Sequence, residues 1–201
     1  AYLACVAFVD EQVGKVMEGL NNSPFKNNTI VIFTSDHGWQ MGEKEYFFKN
    51  SPWEESARIP LIIKTPIPKA GLKVEQPVSL IDLYPTLKDL CNLKGDHKIN
   101  KNGGDLGGYS LRSLLEKSKE WEGPTGALTI VGNYGTKYST KNQNFSYRTK
   151  DWRYIVYSNG KEELYNHKDD PYEWENVADK KKNKKIKKRL HLDMNKIINN
   201  R

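Results

Sequence analysis

The residues best suited to chemistry are Asp36 and His37, which close the run Thr29-Ile30-Val31-Ile32-Phe33-Thr34-Ser35 and precede Gly38. A carboxylate oxygen and a neutral imidazole nitrogen are both metal-ligand atoms. Gly38 lets the backbone turn in conformations a side chain would block. The apolar, β-branched run predicts a buried strand, and open α/β sheets gather ligands outside the carboxyl ends of their strands. Alone, the pair reads about as well as a capped loop. More follows in order: Trp39, the Gly42-Glu43 loop, Lys44, Lys49 at 13 residues past Asp36, Trp53-Glu54-Glu55, and Arg58-Ile59-Pro60 leading into a second apolar strand. Lys44 reads as an ordinary solvated lysine. Glu54 and Arg58 read as partners of each other.

The elements that must position these residues can be read coarsely. Leu3, Val6, Ala7, Val9, Val13, Val16, Met17 and Leu20 have helical spacing, and Asn21-Asn22-Ser23-Pro24 breaks that helix. Pro66, Pro68 and Gly71 mark a surface connection. Asp82 is expected to cap a helix with Tyr84-Pro85 in its first turn and Leu83, Leu87, Leu90 and Leu93 on one face. A Gly- and Asn-rich loop leads to a short helix over Leu111–Lys117. Ala127–Val131, Phe145–Lys150, Trp152–Tyr157 and Glu162–Tyr165 read as short strands, with a Ser158-Asn159-Gly160 hairpin turn. From Asp179 onward a helix is expected, with Ile186, Leu190, Met194 and Ile197 spaced for packing.

Composition sets wider bounds. At 201 residues, 37% hydrophobic and 28% charged, the chain is globular and on the polar side. No stretch approaches the roughly 20 apolar residues of a membrane helix. Cys5 and Cys91 support neither a disulfide framework nor a zinc cluster and read as buried free thiols. Much of the net charge of +7 sits in Lys180–Arg189. That segment reads more readily as a solvated helix face than as a patch for a sulfated polysaccharide. Nucleic-acid binding is disfavoured, because no aromatics interleave with the cations.

The succession of strand, Ser35-Asp36-His37-Gly38, glycine-glutamate loop, lysine, Trp53-Glu54-Glu55, Arg58-Ile59-Pro60 and strand resembles the sulfatases of the alkaline-phosphatase superfamily. It is most similar to the iduronate-2-sulfatase and choline-sulfatase-like branch. Tyr2 to Gly14, Pro77 to Leu87, Gly108 to Leu111, Glu163 to Asn166 and Asp170 to Asn176 agree with that resemblance, which extends over nearly the whole chain.

The resemblance implies an α/β fold: the C-terminal part of an alkaline-phosphatase-like sheet sandwiched by helices over 1–122, then a small α+β subdomain over 123–201 with about four antiparallel strands and a C-terminal helix. It implies Asp36 and His37 as metal ligands, calcium as the metal, and Lys49 as a catalytic lysine that binds the sulfate group. It also offers Trp39 as a substrate contact, beside the equal reading of a packing aromatic. The family's formylglycine arises from a cysteine in a Cys-x-Pro/Ala-x-Arg context, which neither Cys5 nor Cys91 matches. The chain is therefore expected to hold half an active site, inactive by itself, with the nucleophile on a missing N-terminal half or a separate partner chain. The implied function is sulfuric-ester hydrolysis of a sulfated sugar or small sulfate ester, in a lysosomal, periplasmic or secreted setting. Two alternatives stand beside it: a phosphodiesterase or phosphonate monoester hydrolase of the same superfamily, and a non-catalytic glycan-binding relative.

Overall fold

Residues 1–66, 71–98, 100–116, 121–132 and 139–199 are described by a computed structural model. The expected Pro68 connection and the Lys117 helix end lie outside them. The chain forms two compact units, Ala1–Ser35 with Pro60–Gly71, and Asp36–Ile59 with Leu72–Arg201.

The first unit contains helix α1 (Tyr2–Asn21) and strands β1 (Val31–Thr34) and β2 (Leu61–Lys64). The α1 helix ends where expected, with the Ser23 hydroxyl donating to the Leu20 carbonyl at 2.8 Å just before Pro24. The two strands pair antiparallel, from Val31 opposite Lys64 to Thr34 opposite Leu61. Here β1 is half-buried, not buried as its composition predicts, and no residue of α1 is buried. One helix and a two-stranded ladder hold too little apolar surface to cover both faces of either. Cys5 is exposed together with its helix, which corrects the expectation of a buried thiol, and Cys91 is exposed at the end of a later helix.

The second unit contains α2 (Glu54–Ala57), α3 (Leu83–Leu90), α4 (Arg112–Glu116), strands β3 (Gly126–Gly132), β4 (Gln143–Thr149), β5 (Trp152–Val156) and β6 (Glu162–Asn166), and α5 (Lys184–Asn199). Asp82 does not cap α3 with its side chain. A single 3-10 turn, Leu80–Asp82, precedes α3, so the capping role falls three residues earlier. Ser79 and Asp82 form a capping box, with the Ser79 N–H donating to Asp82 Oδ2 at 2.7 Å. The other Asp82 oxygen accepts from the Tyr109 N–H at 2.8 Å, tying the Gly108–Leu111 stretch to this turn.

The sheet runs β3-β4-β5-β6, antiparallel throughout. Gly160 turns β5 into β6 with φ +81°, a conformation glycine adopts without strain. Leu128, Tyr147, Tyr154 and Leu164 from one sheet face pack on Ala178 and on Leu190 and Met194 of α5. That helix starts at Lys184 instead of Asp179, after a 3-10 turn at Lys181–Asn183. The fold is the mixed α/β arrangement that was expected, with a four-stranded antiparallel sheet and a terminal helix.

Candidate functional site

Asp36 and His37 follow β1 directly, and the turn after them is held from across the loop. The Gly38 N–H donates to the Ser56 carbonyl at 2.9 Å, and the Gln40 N–H donates to the Phe48 carbonyl at 3.1 Å. A Cβ on Gly38 would collide with the backbone carbonyl oxygens of Glu55 and Arg58, so the glycine is there for close approach. These bonds bring Lys49 back onto the Asp-His pair.

Lys49 Nζ lies 2.9 Å from His37 Nε2, and that nitrogen lies 3.7 Å from Asp36 Oδ2. His37 Nδ1 is 2.8 Å from the Gly38 carbonyl, an acceptor that fixes the proton on Nδ1 and makes Nε2 the acceptor for the Lys49 ammonium. The Asp36 side chain is exposed, with Oδ1 accepting from the His37 N–H at 3.1 Å. Three of the four candidate residues thus converge on one point. Trp39 stands beside them, partly exposed, its ring centroid 6.4 Å from that of Phe48.

The converging atoms are chemically suited to a divalent cation and an oxyanion. The imidazole nitrogen that faces Lys49 and the exposed Asp36 carboxylate are donor types that can share one ion, and the Lys49 ammonium adjoins them.

One expectation about a neighbouring residue is corrected and another is extended. Lys44 is half-buried instead of solvated: its ammonium donates to the Tyr165 hydroxyl at 3.1 Å and to the Glu173 carbonyl, and lies over the Trp53 and Tyr165 rings. Burial draws its pKa below the ordinary lysine value, against the opposing charges of Glu163, Glu173 and Asp170. Glu54 does pair with the exposed Arg58, at 4.0 Å. Its closer partners are Arg148, at 3.0 Å, and the buried Arg153. Burial pushes the Glu54 carboxyl up, and the two guanidiniums more than reverse this, holding it at about 2.

Sequence reasoning missed Arg148, Arg153, His167 and Glu173. The available signal was an arginine inside the strand pattern Trp152-Arg153-Tyr154-Ile155-Val156, since a charge facing a core requires a partner. Glu54, His167 and Glu173 are also the group of potential metal ligands found among the described residues, their ligand atoms all within 4.8 Å of one another. Arg148 and Arg153 already occupy those carboxylates, and a divalent ion would sit among guanidiniums.

Comparison with known proteins places these motifs in context. A family model described as Sulfatase matches residues 1–93. A sulfatase from Formosa agariphila is 37% identical over 178 residues, covering 89% of this chain and 32% of that protein. Among solved structures, one described as a complex with its substrate D-glucosamine-2-N,6-O-disulfate superposes with a TM-score of 0.76 at 30% identity, covering 97% of this chain and 39% of its own. The phosphonate monoester hydrolase of Agrobacterium radiobacter gives a TM-score of 0.82 at 25% identity, with 97% and 40% covered. The chain spans about a third of the length of the curated relatives it matches.

Proposed function

We propose, from the premise that this chain belongs to the sulfatase family of the alkaline-phosphatase superfamily, that Asp36, His37 and Lys49 serve a sulfuric-ester hydrolase. The observation that carries this reading is the convergence of Lys49 Nζ, 2.9 Å from His37 Nε2, with Asp36 Oδ2 a further 3.7 Å from that nitrogen.

The family implies a divalent metal and a formylglycine. We assign the metal to Asp36 and His37 and take it to be calcium, because the Asp36 carboxylate is a hard, exposed oxygen donor. A cation held there neutralises charge on the non-bridging oxygens of a sulfate group. Asp36 and His37 would hold it once Lys49 turns from His37 Nε2, and the Gly38 carbonyl keeps the His37 proton on Nδ1. Lys49 swings its flexible stem from His37 to the sulfate group, where its ammonium follows charge onto the leaving oxygen. Trp39 offers an exposed ring to the sugar that carries the sulfate. Neither Cys5 nor Cys91 has the context that formylglycine formation requires, so we place the nucleophile on residues outside these 201.

A sulfated sugar is the substrate class we favour, supported by the structural neighbour solved with glucosamine disulfate. The phosphonate monoester hydrolase neighbour keeps that activity as a second reading, since both reactions present a tetrahedral oxyanion to the same groups. The division at 122/123 into a catalytic part and a C-terminal subdomain remains our proposal, supported by the position of β3–β6 and α5 after it.

The test separates metal from lysine in the enzyme produced from the complete reading frame. Asp36→Ala is expected to abolish calcium binding, read by calorimetry, together with turnover, while the circular dichroism spectrum is retained. Lys49→Ala is expected to keep calcium and lower kcat/KM by about 10²–10³-fold, the scale of losing one charge-stabilising donor. Full turnover in the Asp36 variant, or loss of the metal in the Lys49 variant, would overturn the assignment.

A further inference from the structure

Arg153 has a side chain that is 1% exposed, and every one of its nitrogens is engaged. Nε donates to Glu173 Oε1 at 2.5 Å, one terminal nitrogen donates to Glu54 Oε2, and the other donates to the Pro52 carbonyl at 3.2 Å and to Ser146 Oγ at 2.7 Å. The Ser146 hydroxyl in turn donates to the Pro52 carbonyl at 2.7 Å. Glu173, also 1% exposed, accepts the Glu54 backbone N–H on Oε2 at 3.0 Å and meets His167 Nε2 on Oε1 at 2.8 Å. Arg148 closes the ring, bonding Glu54 and approaching His167 Nδ1 at 2.9 Å. Two carboxylates face two guanidiniums with an imidazole between them, so the charges balance.

Arg153, Ser146, Glu173 and Arg148 each bond to one stretch, Pro52 to Glu54, and the serines flanking that stretch hold the candidate site. Ser51 Oγ accepts from Gln40 Nε2 at 3.3 Å and donates to Ser56 Oγ at 2.8 Å; the Ser56 carbonyl receives the Gly38 N–H. Asp36 and His37 precede Gly38, and Lys49 follows Phe48. Two residues of the same assembly, Lys44 and Glu173, hold left-handed backbone conformations, with φ 55° and 60°. Side chains other than glycine reach that region at a cost, and it persists where the surroundings over-determine it. These two residues are bonded to each other, Lys44 Nζ to the Glu173 carbonyl.

A buried ion cluster is a costly way to gain stability, since an apolar replacement of both partners is often as good. What it provides is directional geometry: a planar fork sets angles that packing alone does not. We infer that Arg153, Glu54 and Glu173 are positioning residues, fixing Pro52–Ser56 so that Gly38 and Phe48 hold Asp36, His37 and Lys49 together. The inference relies on the functional reading above only for the use made of those three residues.

The test is Arg153→Lys, which keeps the charge and removes the fork, in the protein from its complete reading frame. Hydrogen exchange by mass spectrometry compares the peptide containing the Gly38 and Gln40 amides with peptides from β3 and β4. Exchange of the Gly38–Gln40 peptide is expected to speed up tenfold or more while the sheet peptides keep their protection. Well below the melting transition, kcat for a sulfate ester is expected to fall at least tenfold. Ser146→Ala, which removes one strut and no charge, is the milder variant; it is expected to loosen the same peptide by a smaller factor. Unchanged exchange at Gly38 in both variants, or loosening only in step with the sheet, would overturn the proposal. A wild-type protein without esterase activity counts against the functional reading alone, because the exchange comparison needs no turnover.

Discussion

Asp36, His37 and Lys49 could be picked out of the sequence because their chemistry is local: two ligand-type residues end a strand and a cation returns a short loop later. Gly38 belongs to the same local pattern, and its requirement is testable. Gly38→Ala puts a methyl group against the Glu55 and Arg58 carbonyls, which are backbone and cannot rotate aside. The expected cost is about 2 kcal/mol, seen as a melting temperature lower by roughly 4–8 °C. An unshifted melting curve would show that the loop has room to relax. Lys44 was not legible in this way. The Trp53 and Tyr165 rings and the Glu173 carbonyl that enclose it come from distant positions, so an isolated lysine in the sequence looks solvated.

At the scale of elements, strands β3–β6 and helix α5 were legible from alternation, turn residues and helical spacing, because each pattern is complete within a few residues. The strand ends shifted by a residue or two, and the α5 start by five, from Asp179 to Lys184. The role of α2 was not legible, since Glu54 meets Arg148 and Arg153 over 94 and 99 positions of sequence. That ion cluster has a pH signature. The Glu54 carboxyl faces Arg153 and Arg148, with His167 and Glu173 beside it and Arg58 at the rim. Its folded pKa of about 2 lies below the ordinary 4.5. A group with a depressed folded pKa contributes stability that is fully present above the unfolded value and is lost as the pH falls through the folded one. Glu173, lowered as well by His167, Arg153 and the Glu54 amide against its burial, adds in the same direction. Stability is therefore expected to decline between pH 4.5 and 2, by about 3 kcal/mol from Glu54. Glu54→Gln should flatten that part of the profile, as followed by urea unfolding at a series of pH values. A variant with the wild-type slope would place the acid sensitivity elsewhere.

At the scale of the whole chain, α/β class and family membership follow from ordered motifs that no single residue supplies. The loop over 36–59 joins one compact unit with residues from 72 onward, and this depends on the bonds it makes to Ser146, Arg153 and Glu173. Sequence patterning cannot display such long-range pairing. The lysines over 181–189 that are exposed give the basic surface suggested by composition, and their positions on and just before α5 suit a solvated face.

Whether Asp36, His37 and Lys49 serve sulfate-ester hydrolysis is decided by turnover. The most direct measurement is sulfate release by the protein from its complete reading frame, co-expressed with a formylglycine-generating enzyme. The substrates are a chromogenic aryl sulfate, a sulfated glucosamine and a matched phosphonate monoester, each with calcium and with chelator. Calcium-dependent cleavage of a sulfate ester is expected, with kcat/KM above that for the phosphonate. Preferential cleavage of the phosphonate, or sulfate release undiminished by the chelator, would overturn the assignment of Asp36, His37 and Lys49 to a calcium-dependent sulfatase.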